Sequence, residues 1–273
     1  MAIHPTALVD KGADIDASAD IGPYCVIGPY VRIGAGTRLV SHVHVTADTT
    51  LGSGNVVHPF AALGGPPQDL KFKGERARLT IGDNNVIRES VTMNIGTAHG
   101  HMEVKVGSHC LFMAYSHVAH DCTVGSHVIV GNGVGLAGHV TVNDYAILGG
   151  LSGVHQFCEL GRAAFIGGGS MVSQNVPPMC TAVGNRAQLA GLNIIGLRRA
   201  GWSRDKIHMV RSAFRSLFLS DLPRKQAFEV TEREYAGKAP EIDEILAFVR
   251  RSAKRGVCSA RRGPRVADLP TEE

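Results

Sequence analysis

The chain has 273 residues, of which 44% are hydrophobic, 19% charged and only 5% aromatic, with 33 glycines; this excludes a disordered polymer and favours a thin, repetitive core over a conventional globule. No apolar run reaches the ~18 residues of a membrane span, and no basic segment followed by an apolar core opens the chain, so the expectation is a cytoplasmic protein without stable membrane insertion. The net charge of +4 is uneven, with 10 Lys and Arg against 13 Asp and Glu in residues 1–185 and 18 against 11 in residues 186–273, so the C-terminal part suits an acidic partner.

Aliphatic side chains recur every six residues from Ile3 to Leu63 without a slip, resume at Ile81, Ile87 and Met93, and run again from Val106 to Val172. Neither a helix nor a simple strand has this period, and a search for internal repeats therefore decides the fold. Glycine often follows the aliphatic residue, as at Gly22, Gly34 and Gly125, and a small or β-branched residue usually stands two positions before it. The physical reading is a triangular prism in which each hexapeptide makes a short strand and a corner, and three hexapeptides make a coil. Stacked coils satisfy one another's backbone groups, and the aliphatic side chain points inward. Glycines and asparagines near the corners would supply positive φ. The 26 repeat positions give about nine coils and, at ~4.8 Å per strand, a prism ~40 Å long.

Two stretches break the period. The first, residues 64–80, contains Gly64-Gly65-Pro66-Pro67-Gln68-Asp69-Leu70-Lys71. A loop of this length is not needed to close a coil, so it is expected to contact substrate or a neighbouring chain. The second, residues 94–105, carries His99 and His101 among small residues, and no role is read for it. The six cysteines lack metal-ligand spacing and mostly occupy small repeat positions, which suits reduced, packed thiols and no metal.

The repeats give a first domain over residues 1–185, and helical signals from about Gly184 give a smaller C-terminal domain over 186–273. Residues 193–199 suggest a short helix or turn. Ser203 is a candidate N-cap for a helix with Ile207, Val210, Arg211, Phe214 and Leu217 along one face. Pro240 suits the first position of another, striped by Ile242, Ile245, Leu246 and Val249. The tail from Cys258 is polar and basic and is expected to fray.

Chemistry is expected in residues 116–123, where His117, His120 and Asp121 interrupt the repeat. His42, His109, His127 and His139 share one repeat phase, that of exposed corners, whereas His120 lies off it. Coils are about 18 residues apart, so His139 and His155 should line the same edge as His120 on successive coils. In an extended strand His117 and His120, three apart, would point to opposite faces, which makes joint metal capture awkward. The same geometry would turn Asp121 away from His120 unless the backbone bends there.

Taken together, residues 117–125, the loop 68–71, Ile87-Arg88-Glu89-Ser90-Val91-Thr92, Leu136-Ala137-Gly138-His139-Val140, Val154-His155-Gln156-Phe157 and residues 193–199 resemble the bacterial UDP-N-acetylglucosamine 3-O-acyltransferases of the hexapeptide-repeat family, over nearly the whole chain. The resemblance implies an all-β left-handed parallel β-helix followed by a smaller helical domain, assembled as a homotrimer with the active site between neighbours. It implies transfer of an (R)-3-hydroxyacyl chain from acyl carrier protein to UDP-N-acetylglucosamine in lipid A synthesis, with no cofactor, no metal, no nucleic acid and no covalent enzyme intermediate. His120 would be the general base, Asp121 its partner and the Gly138 amide the oxyanion donor. Gln68, Asp69 and Lys71 would hold the sugar and acyl groups, and His117 and His139 would contact the sugar. His155 and Gln156 would line the cleft, Asn193 and Arg199 would meet the nucleotide, and Gly168 would limit acyl length, near fourteen carbons. Arg198, Arg204, Lys206, Arg211 and Arg215 are candidates to receive the acidic carrier. Asn94, where a histidine is common, and Ile195, where an acid occurs in some members, depart from the pattern. A 3-amino analogue of the sugar is the alternative acceptor, and a zinc-binding hydratase relative a more distant one.

Overall fold

The computed structural model describes residues 2–252 and 255–261. Most of the strands are two residues long, the second of the pair being the inward aliphatic residue of the repeat. They stack into three parallel sheets, one per side of a left-handed parallel β-helix. The eight-stranded side runs from Asp14–Ile15 to Glu159–Leu160. The nine-stranded side runs from Leu8–Val9 to Met171–Val172 and carries His117–Val118, Gly135–Leu136 and Gly153–Val154. The eleven-stranded side starts at Ala2–Ile3.

The six-residue period is thus the period of a coil's sides. Inward residues from Ile21 to Val172 are buried, each worth roughly 1.5–3 kcal/mol. Ile3 stays exposed, and Val9 and Ile15 half-buried, because no coil lies beneath them. Where the small position two before the aliphatic is polar, it forms its own ladder: Asn85 Nδ2 donates to Asn55 Oδ1 at 3.0 Å, and the Cys110 amide donates to Asn85 Oδ1 at 2.8 Å.

The corners differ from the expectation. Positive φ falls three residues after the inward aliphatic, where Tyr24, His42, His109, Tyr115, Asp121, His127, His139 and Phe157 stand alongside glycines. Flat rings fill these corners because they stack on the coil above, as in His127 on Tyr145 at 4.8 Å and His139 on Phe157 at 4.4 Å. The glycine after the aliphatic has a different purpose. A Cβ on Gly22 would lie 1.8 Å from the Val40 carbonyl oxygen of the next coil, so close approach rather than φ demands glycine there.

Both insertions are shorter than the repeat pattern suggests. Strands Arg78–Ile81 and Glu103–Val106 pair over four residues each, leaving excursions of 66–77 and 95–102. Beyond the last coil the chain makes an antiparallel hairpin, Cys180–Val183 with Gln188–Leu192, which the six-residue period could not reveal.

Among the described residues four helices follow: α1 (Ile194–Arg199), α2 (Arg204–Phe218), α3 (Arg224–Tyr235) and α4 (Pro240–Arg251). Ser203 caps α2 by accepting from the Lys206 amide. The buried face of α2 takes Ala213 where the sequence suggested Arg211, which is exposed. The sequence reading missed α3, whose buried residues are only Ala227 and Thr231, too sparse a stripe to register as a period. Ion pairs Arg162–Glu244 at 2.6 Å and Arg251–Glu159 at 2.7 Å fasten α4 to the last coils.

The tail does not fray at Cys258: Val257 bridges Asn175, Ala260 bridges Leu189, and the Arg261 amide donates to the Leu189 carbonyl. The rest of that expectation lies outside the described residues. All six cysteines are free and buried, and burial pushes the Cys122 thiol up to about 12 and those of Cys158 and Cys258 up to about 11. Protonated and enclosed, they pack as small apolar groups. No helix among the described residues is long and apolar enough to cross a membrane.

Candidate active site

Strand His117–Val118 lies on the nine-stranded side, and the chain then turns a corner through Ala119, His120 and Asp121. His117 and His120 therefore do not face apart, as an extended strand would have them, but line the same groove. Asp121 occupies the left-handed corner position with φ +57°, and this bend swings its side chain back to its neighbour. His120 Nδ1 stands 2.9 Å from Asp121 Oδ2.

Asp121 is 2% exposed and yet has a full set of donors. Besides His120 it accepts from the Thr97 amide at 3.1 Å, Thr97 Oγ1 at 2.6 Å and the His101 amide at 2.7 Å. Burial alone pushes its carboxyl up, but these hydrogen bonds outweigh burial and hold it below the ordinary carboxylate value. An ionised Asp121 accepts a hydrogen bond from His120 Nδ1–H, which fixes the tautomer with the lone pair on Nε2, turned to the groove.

Gly138, one coil up, closes on that ring. A Cβ there would sit 2.5 Å from both Cε1 and Nε2 of His120, so only glycine lets the backbone pass. Among the described residues the Gly138 N–H donates to no protein acceptor. His139 meets His120 edge-on at 5.0 Å between ring centroids, and its Nε2 is 4.0 Å from Asp121 Oδ2. Burial holds the His139 imidazole below its ordinary value, against the pull of Asp121. His117 is likewise lowered, by burial and by His120, and its Nδ1 bonds Thr92 Oγ1 at 2.7 Å.

Two adjoining grooves share His120. One, of about 1060 Å³, gathers Gln68, His117, Gly138 and His155; the other, of about 1360 Å³, gathers Asp69, Lys71, His139 and Gln156 with His99 and His101. His155 lies on the first groove, with Nδ1 3.1 Å from the Gln156 carbonyl; Phe157, not His155, is the ring stacked on His139.

Three expected site residues lie elsewhere. Asn193 caps α1 by accepting from the Gly196 amide at 3.0 Å, and with Arg199 it lines a separate hollow beside His127 and Tyr145. Gly168 sits in an exposed corner and lines none of these three cavities. Of the candidate carrier-binding residues, Lys206 is already paired with Glu241 at 2.6 Å and lies over the Trp202 ring.

The second insertion, for which the sequence suggested no role, is part of the site. Besides its bonds to Asp121, it sends His99 Nε2 to Asp69 Oδ2 at 3.2 Å and the Ala98 amide to Glu75 Oε1 at 2.9 Å, which joins the two excursions. The Lys71 amide, then His99 and His120, hold the Asp69 carboxyl below its ordinary value. Asn94 is buried at the base, donating from Nδ2 to the Pro66 carbonyl at 3.0 Å. The available signal was two histidines in a short polar break of the repeat. A metal could draw on His120, Asp121 and His139, whose donor atoms lie within 4.8 Å of one another. Asp121 Oδ2, however, already accepts from Thr97 and His120.

Known proteins resemble this chain over nearly its whole length. Residues 175–258 match the family described as UDP N-acetylglucosamine O-acyltransferase, domain 2, and residues 103–138 match the bacterial transferase hexapeptide (six repeats). The chain is 51% identical over 258 residues to the acyl-(acyl-carrier-protein)–UDP-N-acetylglucosamine O-acyltransferase of Caulobacter vibrioides, covering 94% of this chain and 98% of that one. It is 45% identical to the protein of the same name from Anaeromyxobacter sp., covering 94% and 99%. Among solved structures it is similar to LpxA from Acinetobacter baumannii, at 44% identity, TM-score 0.91 and coverage of 94% and 100%. It is also similar to the UDP-N-acetylglucosamine acyltransferase of Francisella novicida, at 38% identity, TM-score 0.91 and coverage of 95% of both chains.

Proposed function

Because the chain belongs to the acyl-(acyl-carrier-protein)–UDP-N-acetylglucosamine O-acyltransferase family, we propose that it transfers an (R)-3-hydroxyacyl group from acyl carrier protein to the 3-hydroxyl of UDP-N-acetylglucosamine, the first step of lipid A synthesis, in the cytoplasm. The observation that carries this reading is the pair His120–Asp121 at 2.9 Å with the Gly138 backbone against the same ring.

A sugar hydroxyl attacks a thioester poorly until its proton is removed. His120 Nε2 takes that proton as the hydroxyl oxygen bonds to the thioester carbon, and Asp121 stabilises the imidazolium that forms. The thioester oxygen gains charge and receives the Gly138 N–H. Collapse breaks the C–S bond, and the proton passes from His120 to the leaving thiolate, with no covalent enzyme intermediate. Asp69, Lys71 and Gln68 hold the acceptor and acyl groups, His117 and His139 contact the sugar as neutral donors or acceptors, and His155 and Gln156 line the cleft.

Within one chain Asn193 and Arg199 line a hollow separate from the groove of His120. In this reading they reach the nucleotide across a subunit boundary of a homotrimer, where a guanidinium suits a diphosphate. The basic C-terminal helices receive the acidic carrier.

The test is an assay of purified protein with acyl carrier protein bearing 3-hydroxyacyl chains, against UDP-N-acetylglucosamine and its 3-amino analogue, with sedimentation to read the oligomer. Acylation of the sugar hydroxyl by a trimer is expected, and His120→Ala should lower kcat by about 10²- to 10⁴-fold while leaving the trimer intact. Turnover of the 3-amino analogue alone would replace the acceptor, and near-normal turnover by His120→Ala would remove the base.

A further inference from the structure

Resting on the acyl-transfer reading above, we propose that Thr97 is a positioning residue for that reaction, its hydroxyl holding Asp121 to His120 and away from the neighbouring imidazole of His139. An ionised carboxylate only accepts, and its two oxygens offer about four lone-pair directions. In Asp121 each of them has a donor. Oδ1 receives the Thr97 and His101 amides at 3.1 and 2.7 Å, and Oδ2 receives Thr97 Oγ1 at 2.6 Å and His120 Nδ1 at 2.9 Å. Facing a pure acceptor, the fully buried Thr97 hydroxyl has to donate. His139 Nε2 stands 4.0 Å from the same Oδ2, and no lone-pair direction is left for it.

One acid thus lies beside two imidazoles whose rings meet edge-on at 5.0 Å, and the hydroxyl decides which of them it serves. The second excursion is shaped for this. The Gly100 and Met102 amides donate to the Thr97 carbonyl at 3.1 and 3.2 Å, which folds residues 97–102 into a closed turn. A Cβ on Gly100 would fall on the Asp121 carboxylate, so the chain passes directly over the acid. The same turn is tied to the first excursion through His99 to Asp69 and the Ala98 amide to Glu75. Thr97 therefore makes two separable contributions: its backbone anchors the turn, and its hydroxyl directs the acid. Without the hydroxyl one lone pair of Oδ2 opens, Asp121 is divided between His120 and His139, and the tautomer that bares Nε2 of His120 is no longer held. Proton removal from the sugar hydroxyl slows, while the excursions and the bound acyl chain keep their places.

Three variants read the hydroxyl. Thr97→Val removes it at nearly constant volume, Thr97→Ser keeps it and loses the methyl, and Thr97→Cys puts a weaker S–H donor in its place. Initial rates with purified protein, 3-hydroxyacyl carrier protein and UDP-N-acetylglucosamine give kcat and the carrier KM of each. A hydrogen bond to a charged group is worth about tenfold to hundredfold in rate, so kcat should fall by that factor in Thr97→Val with the carrier KM unchanged. Thr97→Ser should recover most of the loss, and Thr97→Cys should lie between. An unchanged kcat in Thr97→Val, a loss in Thr97→Ser as large as in Thr97→Val, or a raised carrier KM without a fall in kcat overturns the assignment. Should Thr97→Val fail to fold, a kcat in Thr97→Cys equal to that of the wild type overturns it as well. Absence of transfer by the wild type would instead sink the acyl-transfer reading on which the assignment rests.

Discussion

His120 and Asp121 are adjacent in the chain, and their side chains nevertheless meet, Nδ1 to Oδ2, at 2.9 Å. In a strand such neighbours point to opposite faces. Here the pair straddles a corner of the prism, with Asp121 at φ +57°, and the bend brings carboxylate and imidazole to one side. The corner position that at several other coils holds a stacked ring holds an acid at this coil, and the second insertion closes over it.

Asp121→Asn should separate the acid's two roles. The amide preserves the volume but offers Nδ1 of His120 at best a neutral partner, so kcat should fall by about 10²-fold or more with the fold retained. Asp121→Ala also strips the Thr97 and His101 amides of their acceptor, with a stability loss of about 1–3 kcal/mol. Turnover and urea denaturation of both variants read the two effects; equal denaturation midpoints for them would refute the anchoring role.

Gly138→Ala should be inactive but folded. The added methyl would fall 2.5 Å from His120 Nε2 and displace the ring from the groove. A loss of at least about 10²-fold in kcat is expected, with thermal unfolding near that of the wild type. Full activity would show that the ring has room to move aside.

Stability should decline as pH falls below neutrality. The folded-state imidazoles of His117 and His139 are held below the ordinary value, chiefly by burial. A group depressed in this way contributes stability that is complete above its unfolded pKa, ~6.5, and is lost as pH falls through the folded value. Asp121, also depressed, adds a second loss that begins below ~3.9. Thermal melts of wild type and His139→Gln across this range should show the upper loss reduced in the variant. Parallel curves would contradict the assignment.

Arg162 and Glu244 lie 82 residues apart and tie the last coils to α4 through contacts at 2.6–3.2 Å. Both side chains are about a third exposed, so solvent screens the pair, and Arg162→Ala should cost only about 1 kcal/mol. A double-mutant cycle with Glu244→Gln, read by urea denaturation, should return a coupling of the same size. A coupling indistinguishable from zero would leave α4 held by its apolar face alone.

Much of this molecule was legible in the order of its residues. A six-residue period survives in the sequence because every coil imposes the same burial on the same position, from Ile21 to Val172. The starts of α2 and α4 are equally local, since Ser203 as N-cap and Pro240 as first helical residue act within one helical turn. His120 stood out because it broke the corner phase. The tertiary structure alone decided what surrounds it. The bend at Asp121, the grip of Thr97 and His101 on that acid and the Gly138 backbone against the imidazole join residues that are distant in sequence or related by a turn whose φ no period encodes. α3 and the hairpin after the last coil escaped for the same reason: their burial is set by neighbours they meet only after folding, not by a repeat within themselves.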